Sequence, residues 1–116
     1  MGKWKHFSDE EAKGLDGELM DRLDVARDLC GFPIVITSGA RTPEQNAAAG
    51  GTSESSHMKG FAVDLRAPTG QNEREKMIWA LGRAGLRRIG IYTRHIHCDV
   101  DHDKAQDVVW FGVSHA

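Results

Sequence analysis

The sequence predicts an α+β fold, a small and mainly antiparallel sheet with helices packed against it. Two features carry this prediction. Apolar residues recur at helical spacing over Glu10–Cys30 and again from Asn72 to Ala84, while the segments between and after them alternate with the period of a strand. The last third also holds two alternating runs that meet near Thr93-Arg94, the pattern of a hairpin. A chain of 116 residues has room for one domain, taken as 1–116, and buries about two-thirds of its unfolded surface in one modest core.

In the first helical run Leu15, Leu19, Leu23, Ala26 and Cys30 form the apolar stripe. Ser8-x-x-Glu11 fits a capping box at its start, and Gly31 with Pro33 beyond it ends the run. Gly14 and Gly17 weaken the middle, which allows two shorter helices. Pro33–Thr37 is a β-branched run closed by Ser38-Gly39 and reads as a strand. Thr42-Pro43 suits a turn into a short helix with Pro43 in its first position. Gly50–Ser56 is a polar loop of the kind that carries function on a rigid frame. From Gly60 to Arg66, Phe61, Val63 and Leu65 alternate with Ala62 and Asp64, so a single carboxylate points away from the core. Asn72-x-x-Glu75 opens the second helix, with Met77, Ile78, Leu81 and Ala84 as its buried stripe and Gly85 past its end. Arg88–Tyr92 and His95–Val100 make the hairpin, and Val108–Val113 adds a strand.

Composition narrows the function. Fifteen Lys and Arg against seventeen Asp and Glu give a net charge of −2, and the basic residues are scattered, so no stripe marks a nucleic-acid backbone. Cys30 and Cys98 fall in apolar phases and read as small buried hydrophobes rather than a disulfide framework. Trp4, Trp79 and Trp110 are expected to pack in the core or on a sheet face, with Trp4–Phe7 lying across the fold as an arm. The opening MGKWKHFSDEEAKG carries charges where a signal peptide needs an apolar stretch, and no segment approaches the length of a membrane span. The expectation is a chain, a monomer, made in the cytoplasm without a signal peptide.

The densest polar cluster is His95-Ile96-His97-Cys98-Asp99-Val100-Asp101. Strand geometry places His95, His97, Asp99 and Asp101 on one face and Ile96, Cys98 and Val100 on the other, a surface built to hold something charged. The second cluster runs from Ser55 through His57 to Asp64. Neutral imidazole and carboxylate are standard zinc ligands, and two histidines with one carboxylate leave a fourth position open, as catalytic sites do.

Three stretches resemble the zinc peptidases of the D-alanyl-D-alanine carboxypeptidase group, whose fold the hedgehog signalling domain shares. Ser38-Gly39-Ala40-Arg41-Thr42-Pro43-Glu44-x-Asn46 is similar to the family's Ser-Gly-Tyr-Arg-Ser/Thr-x-x-x-Asn, with Ala40 where an aromatic is usual. Ser55-x-His57-x-x-Gly60-x-Ala62-x-Asp64 matches Ser-x-His-x-x-Gly-x-Ala-x-Asp at every fixed position. His95-Ile96-His97-Cys98 resembles the hedgehog-type final strand, and His97-x-Asp99 suits short bacterial and phage members. The resemblance implies a hedgehog/DD-peptidase-like fold, Zn2+ on His57, Asp64 and His97, and a substrate carboxylate or backbone held by Arg41 and Ser55. Many members place a catalytic carboxylate three residues before the last zinc histidine, and hedgehog-type chains six before it. Here those positions are Arg94 and Ile91, so the general base does not carry over.

The expected reaction is hydrolysis of a peptide bond in a peptidoglycan stem peptide, by a D,D-carboxypeptidase or an endopeptidase, with the chain reaching the wall by release or delivery, as phage lysis and virion enzymes do. His95 is the first choice for proton transfer, since it shares the face of His97 and an imidazole titrates near neutrality. Asp99 is the second, with orientation of His97 as its other possible role. Two rivals stand beside this reading. One is a non-catalytic zinc-binding module, favoured by the missing carboxylate at Arg94 and Ile91. The other is a metal-dependent nuclease, which the acidic balance and the Ser-x-His-x-x-Gly-x-Ala-x-Asp match oppose.

Overall fold

The computed structural model describes residues 2–48 and 55–113. Its elements in chain order are α1 (Gly17–Cys30), β1 (Ile36–Ser38), α2 (Pro43–Ala48), β2 (Ala62–Arg66), α3 (Gln71–Arg83), β3 (Arg88–Ile91), β4 (His95–Asp99) and β5 (Val108–Phe111). The five strands form one sheet in the order β1-β2-β4-β3-β5. Every pairing is antiparallel except β3 with β5, so the expected α+β class and mainly antiparallel sheet both hold. One face of the sheet supplies Val63, Leu65, Ile89, Ile96 and Cys98 to the core. Leu19, Leu23 and Ala26 of α1 and Met77, Ala80 and Leu81 of α3 complete it. The other face is left for polar chemistry.

The first helical run divides where its glycines stand. Ser8 and Glu11 form the reciprocal capping pair, with Ser8 N donating to Glu11 Oε1 at 2.9 Å and Glu11 N to Ser8 Oγ at 3.1 Å. That pair closes only a turn, because Gly14 takes a left-handed φ of 77°. The helix begins three residues later, where Asp16 Oδ2 accepts from Glu18 N and Leu19 N. Gly31, also left-handed, ends it as expected. The second helix starts one residue before Asn72, at Gln71 behind Gly70, without a side-chain cap. β1 is shorter than Pro33–Thr37 and shifted toward Ser38, and its pairing with β2 is irregular between Ile36 and Ser38. β5 ends at Phe111, before Val113. Most of the expected loop over Gly50–Ser56 lies outside the described residues.

The N-terminal arm does cross the fold. Lys5 N and His6 N both donate to the Asp24 carboxylate, and Phe7 is buried. Trp4 packs against the core and donates Nε1–H to Asp21. Trp79 departs from expectation: it sits on the outer side of α3 and is 50% exposed, because Met77, Ala80 and Leu81 take the inward face. Both cysteines are free and buried. Among the described residues no helix is long and apolar enough to cross a membrane.

Candidate metal centre

β2 and β4 are paired in the register Asp64↔His97, which brings a carboxylate and an imidazole together on the face opposite the core. His57 arrives from the turn before β2. Its carbonyl accepts from Arg41 N and Gly60 N, tying the Arg41 segment and the turn to one point. Gly60 has a φ of 76° and lies so close to Gly14 that a Cβ would stand 2.3 Å from the Gly14 carbonyl oxygen, so the glycine is required there.

Asp64 Oδ1 stands 3.3 Å from His57 Nε2 and 3.2 Å from His97 Nδ1. The three candidate ligand atoms all lie within 4.8 Å of one another. The remaining nitrogen of each ring is engaged elsewhere. His57 Nδ1 is 2.9 Å from the Gly39 carbonyl oxygen, and His97 Nε2 is 2.7 Å from Asp99 Oδ2. Protons on those two nitrogens satisfy both acceptors and leave His57 Nε2 and His97 Nδ1 as lone pairs facing Asp64. Two donors bound at zinc distances in a tetrahedron lie about 3.3 Å apart, which is the spacing found here on both sides of Asp64 Oδ1. The donor set therefore fits zinc, and each histidine has the outer hydrogen-bond partner such ligands need. Among the described residues this is the only such convergence of His, Cys, Asp and Glu.

The electrostatics follow from burial against partners. Burial pushes the Asp64 carboxyl up, but the hydrogen bonds and charges of His57 and His97 outweigh it and hold it well below the usual range. Burial pushes His97 down, and the hydrogen bonds and charges of Asp64 and Asp99 more than reverse it. His95 has no such compensation: burial lowers it, with only Asp64 acting in the other direction among its main influences. For Asp99, burial raises the carboxyl while His97, the Asp101 amide and Arg88 bring it below the ordinary value.

The other residues singled out in the sequence take definite positions. Arg41 donates from Nη2 to Asp64 Oδ2 at 3.3 Å and from Nε to Ser38 Oγ, so its guanidinium borders the centre. Ser55 Oγ accepts from His57 N at 3.2 Å, capping the turn that carries the histidine. His95 lies on the same face as His97, stacked on Tyr92 with ring centroids 4.3 Å apart. Asp99 is 1% exposed, and its oxygens meet His97 and Arg88. Ile91 lies in β3 opposite Ile96, and Arg94 sits in the turn between β3 and β4.

Three features escaped the sequence reading. Arg88 donates Nε–H to Asp99 Oδ1 at 2.8 Å, a pairing available from the hairpin alone, since a turn at Thr93-Arg94 sets Arg88 opposite Asp99. Asp101, placed by periodicity on the open face, lies past the end of β4 and is fully buried. It accepts from Ser56 Oγ at 2.7 Å and Lys59 Nζ at 3.3 Å. Trp110 lies over Gly90 with its ring centroid 5.5 Å from that of His97, and it donates Nε1–H to the Tyr92 hydroxyl. No local pattern announces those last two contacts.

A family model described as Peptidase M15 matches residues 3–99, a span that includes His57, Asp64 and His97. No curated protein matches the chain.

Proposed function

We propose that this chain, which belongs to the peptidase M15 family, hydrolyses a peptide bond in the stem peptides of bacterial cell-wall peptidoglycan, as a zinc-dependent D,D-carboxypeptidase or endopeptidase. The family is one of metallopeptidases, typically zinc-dependent, and implies a peptide substrate. The observation that carries the reading is the convergence of His57 Nε2, Asp64 Oδ1 and His97 Nδ1, with the second nitrogen of each ring already engaged. Zinc held there would supply a Lewis acid for the scissile carbonyl and would acidify a water to a useful nucleophile.

The protein's own groups do the rest. Arg41 holds Asp64 Oδ2 and presents a planar cation beside the centre, suited to the free carboxylate of a stem peptide. Ser55, whose hydroxyl oxygen accepts from His57 N, fixes the His57 turn and is assigned the contact with the substrate backbone. His95, on the His97 face, takes up the proton that the attacking water loses and passes it to the leaving amine. Asp99 orients His97 rather than moving a proton, because it is buried and both of its oxygens are engaged.

Incubating zinc-loaded protein with purified muropeptides and reading the fragments by mass spectrometry tests this reading. Cleavage at one stem-peptide bond, lost on chelation and restored by zinc, is the expected result. Bound zinc without any cleavage would favour the non-catalytic module, the reading that the absence of a carboxylate at Arg94 and Ile91 supports.

A further inference from the structure

Arg88 lies behind the candidate ligands, and it reaches His97 through two neighbours, Asp99 and Trp110. Its Nε donates to Asp99 Oδ1 at 2.8 Å, while Asp99 Oδ2 is 2.7 Å from His97 Nε2. Its Nη1 donates to the Ala105 carbonyl, which pins the guanidinium from the far side. Its plane also lies under Trp110, with Cζ 5.1 Å from the ring centroid, and Trp110 in turn sits beside His97. Gly90, paired with His97 across β3 and β4, makes that arrangement possible: a Cβ there would lie 2.5 Å from Trp110 Nε1. Arg88 and Asp99 are both largely shielded from water, at 13% and 1% side-chain exposure.

We infer that Arg88 is a positioning residue of the metal centre, acting through Asp99 to hold the His97 ring with Nε2 protonated and Nδ1 turned to the ion. The Asp101 amide also donates to Asp99 Oδ1, at 3.1 Å, but as a neutral group; the rigid, always-charged guanidinium is what clamps that oxygen firmly enough for the carboxylate to fix the imidazole. Loss of the ligand's own outer partner, here Asp99, weakens metal binding about 10–100-fold in other sites, so loss of the residue that holds Asp99 is expected at the lower end of that range. The inference rests on the zinc reading of the preceding subsection and concerns binding, so it is tested by binding.

The experiment is competition for zinc between the protein and a chromogenic chelator, with the Co2+ absorption spectrum as a second readout. Arg88→Met is expected to bind zinc about 10-fold or more weakly and to show an altered cobalt band. Arg74→Met is the control: Arg74 donates to the Tyr92 and Thr93 carbonyls, so its loss loosens the same hairpin without touching Asp99. It is expected to keep wild-type zinc affinity within twofold. Should the bared Asp99 charge prevent Arg88→Met from folding, Arg88→Lys decides, since an ammonium cannot span Asp99 and Ala105 with one planar group. It is expected to bind zinc at least threefold more weakly. Wild-type affinity and an unchanged cobalt band in the Arg88 variants would overturn this inference and leave the peptidase reading standing. Wild-type protein that takes up no zinc would overturn both. Tight zinc binding without muropeptide cleavage, with the Arg88 effect intact, would overturn only the peptidase reading.

Discussion

Each ring of the centre has one nitrogen aimed at Asp64 and the other held by a partner, and that division makes the site specific at the scale of single residues. Asp99→Asn is nearly isosteric but cannot serve both the Nε2–H of His97 and the Arg88 guanidinium. It is expected to weaken zinc binding about 10–100-fold with the fold retained, as read by chelator competition beside circular dichroism. The thiols are expected to be inert for a simpler reason. Cys30 and Cys98 are 2% and 0% exposed, so neither should react with a thiol reagent until the protein unfolds. Their burial was legible in the sequence, because each falls in the apolar phase of its run. So were the three candidate ligands as residues. Their atoms were not: which nitrogen of His57 or His97 faces Asp64 depends on Gly39 and Asp99, and a ring's orientation leaves no trace in spacing.

At the scale of elements, the strands were readable and the helix ends less so. Period-2 alternation placed Asp64 and His97 on the open face correctly, since the rule is geometric and needs only the core side to be known. The capping box at Ser8 formed as read, yet it closes a turn rather than a helix. Gly14 in the left-handed region overrides what local chemistry offers, and Asp16 becomes the working cap. Asp16→Ala is therefore expected to lower stability by about 1 kcal/mol, measured by urea denaturation, whereas loss of the Ser8 hydroxyl should matter less. The same periodicity failed at Asp101, because β4 ends at Asp99 and the chain turns. There a buried carboxylate ties the segment after β4 to the Ser56 and Lys59 turn that presents His57. Asp101→Ala is expected to cost about 1–3 kcal/mol, since it leaves the buried Ser56 hydroxyl without its acceptor.

For the whole molecule the arrangement is two layers, with α1 and α3 on one side of a five-stranded sheet and the candidate centre on the other. The α+β class followed from the order of periodic segments. The parallel pairing of β5 with β3 did not, since it depends on which edge the last strand meets. The buried carboxylates set how the fold responds to acid. Burial raises Asp101, but the Ser56 hydroxyl, the Asp103 amide and Lys59 bring it below its ordinary value, and Lys104 also lies close at 3.7 Å. Its folded pKa is thus below the unfolded value of about 3.9, so its stabilisation is complete above that pH and is lost as pH falls through the folded value. Denaturation followed from pH 6 to pH 2 should show stability falling below about pH 4, less steeply in Asp101→Asn than in the wild type. The central claim is that the fold brings three distant side chains onto one ion. Calorimetric titration of metal-free protein with zinc tests it most directly: one ion per chain is expected, with affinity reduced by a hundredfold or more in His57→Ala, Asp64→Ala and His97→Ala. Uptake of zinc by any of those variants with wild-type affinity would contradict it.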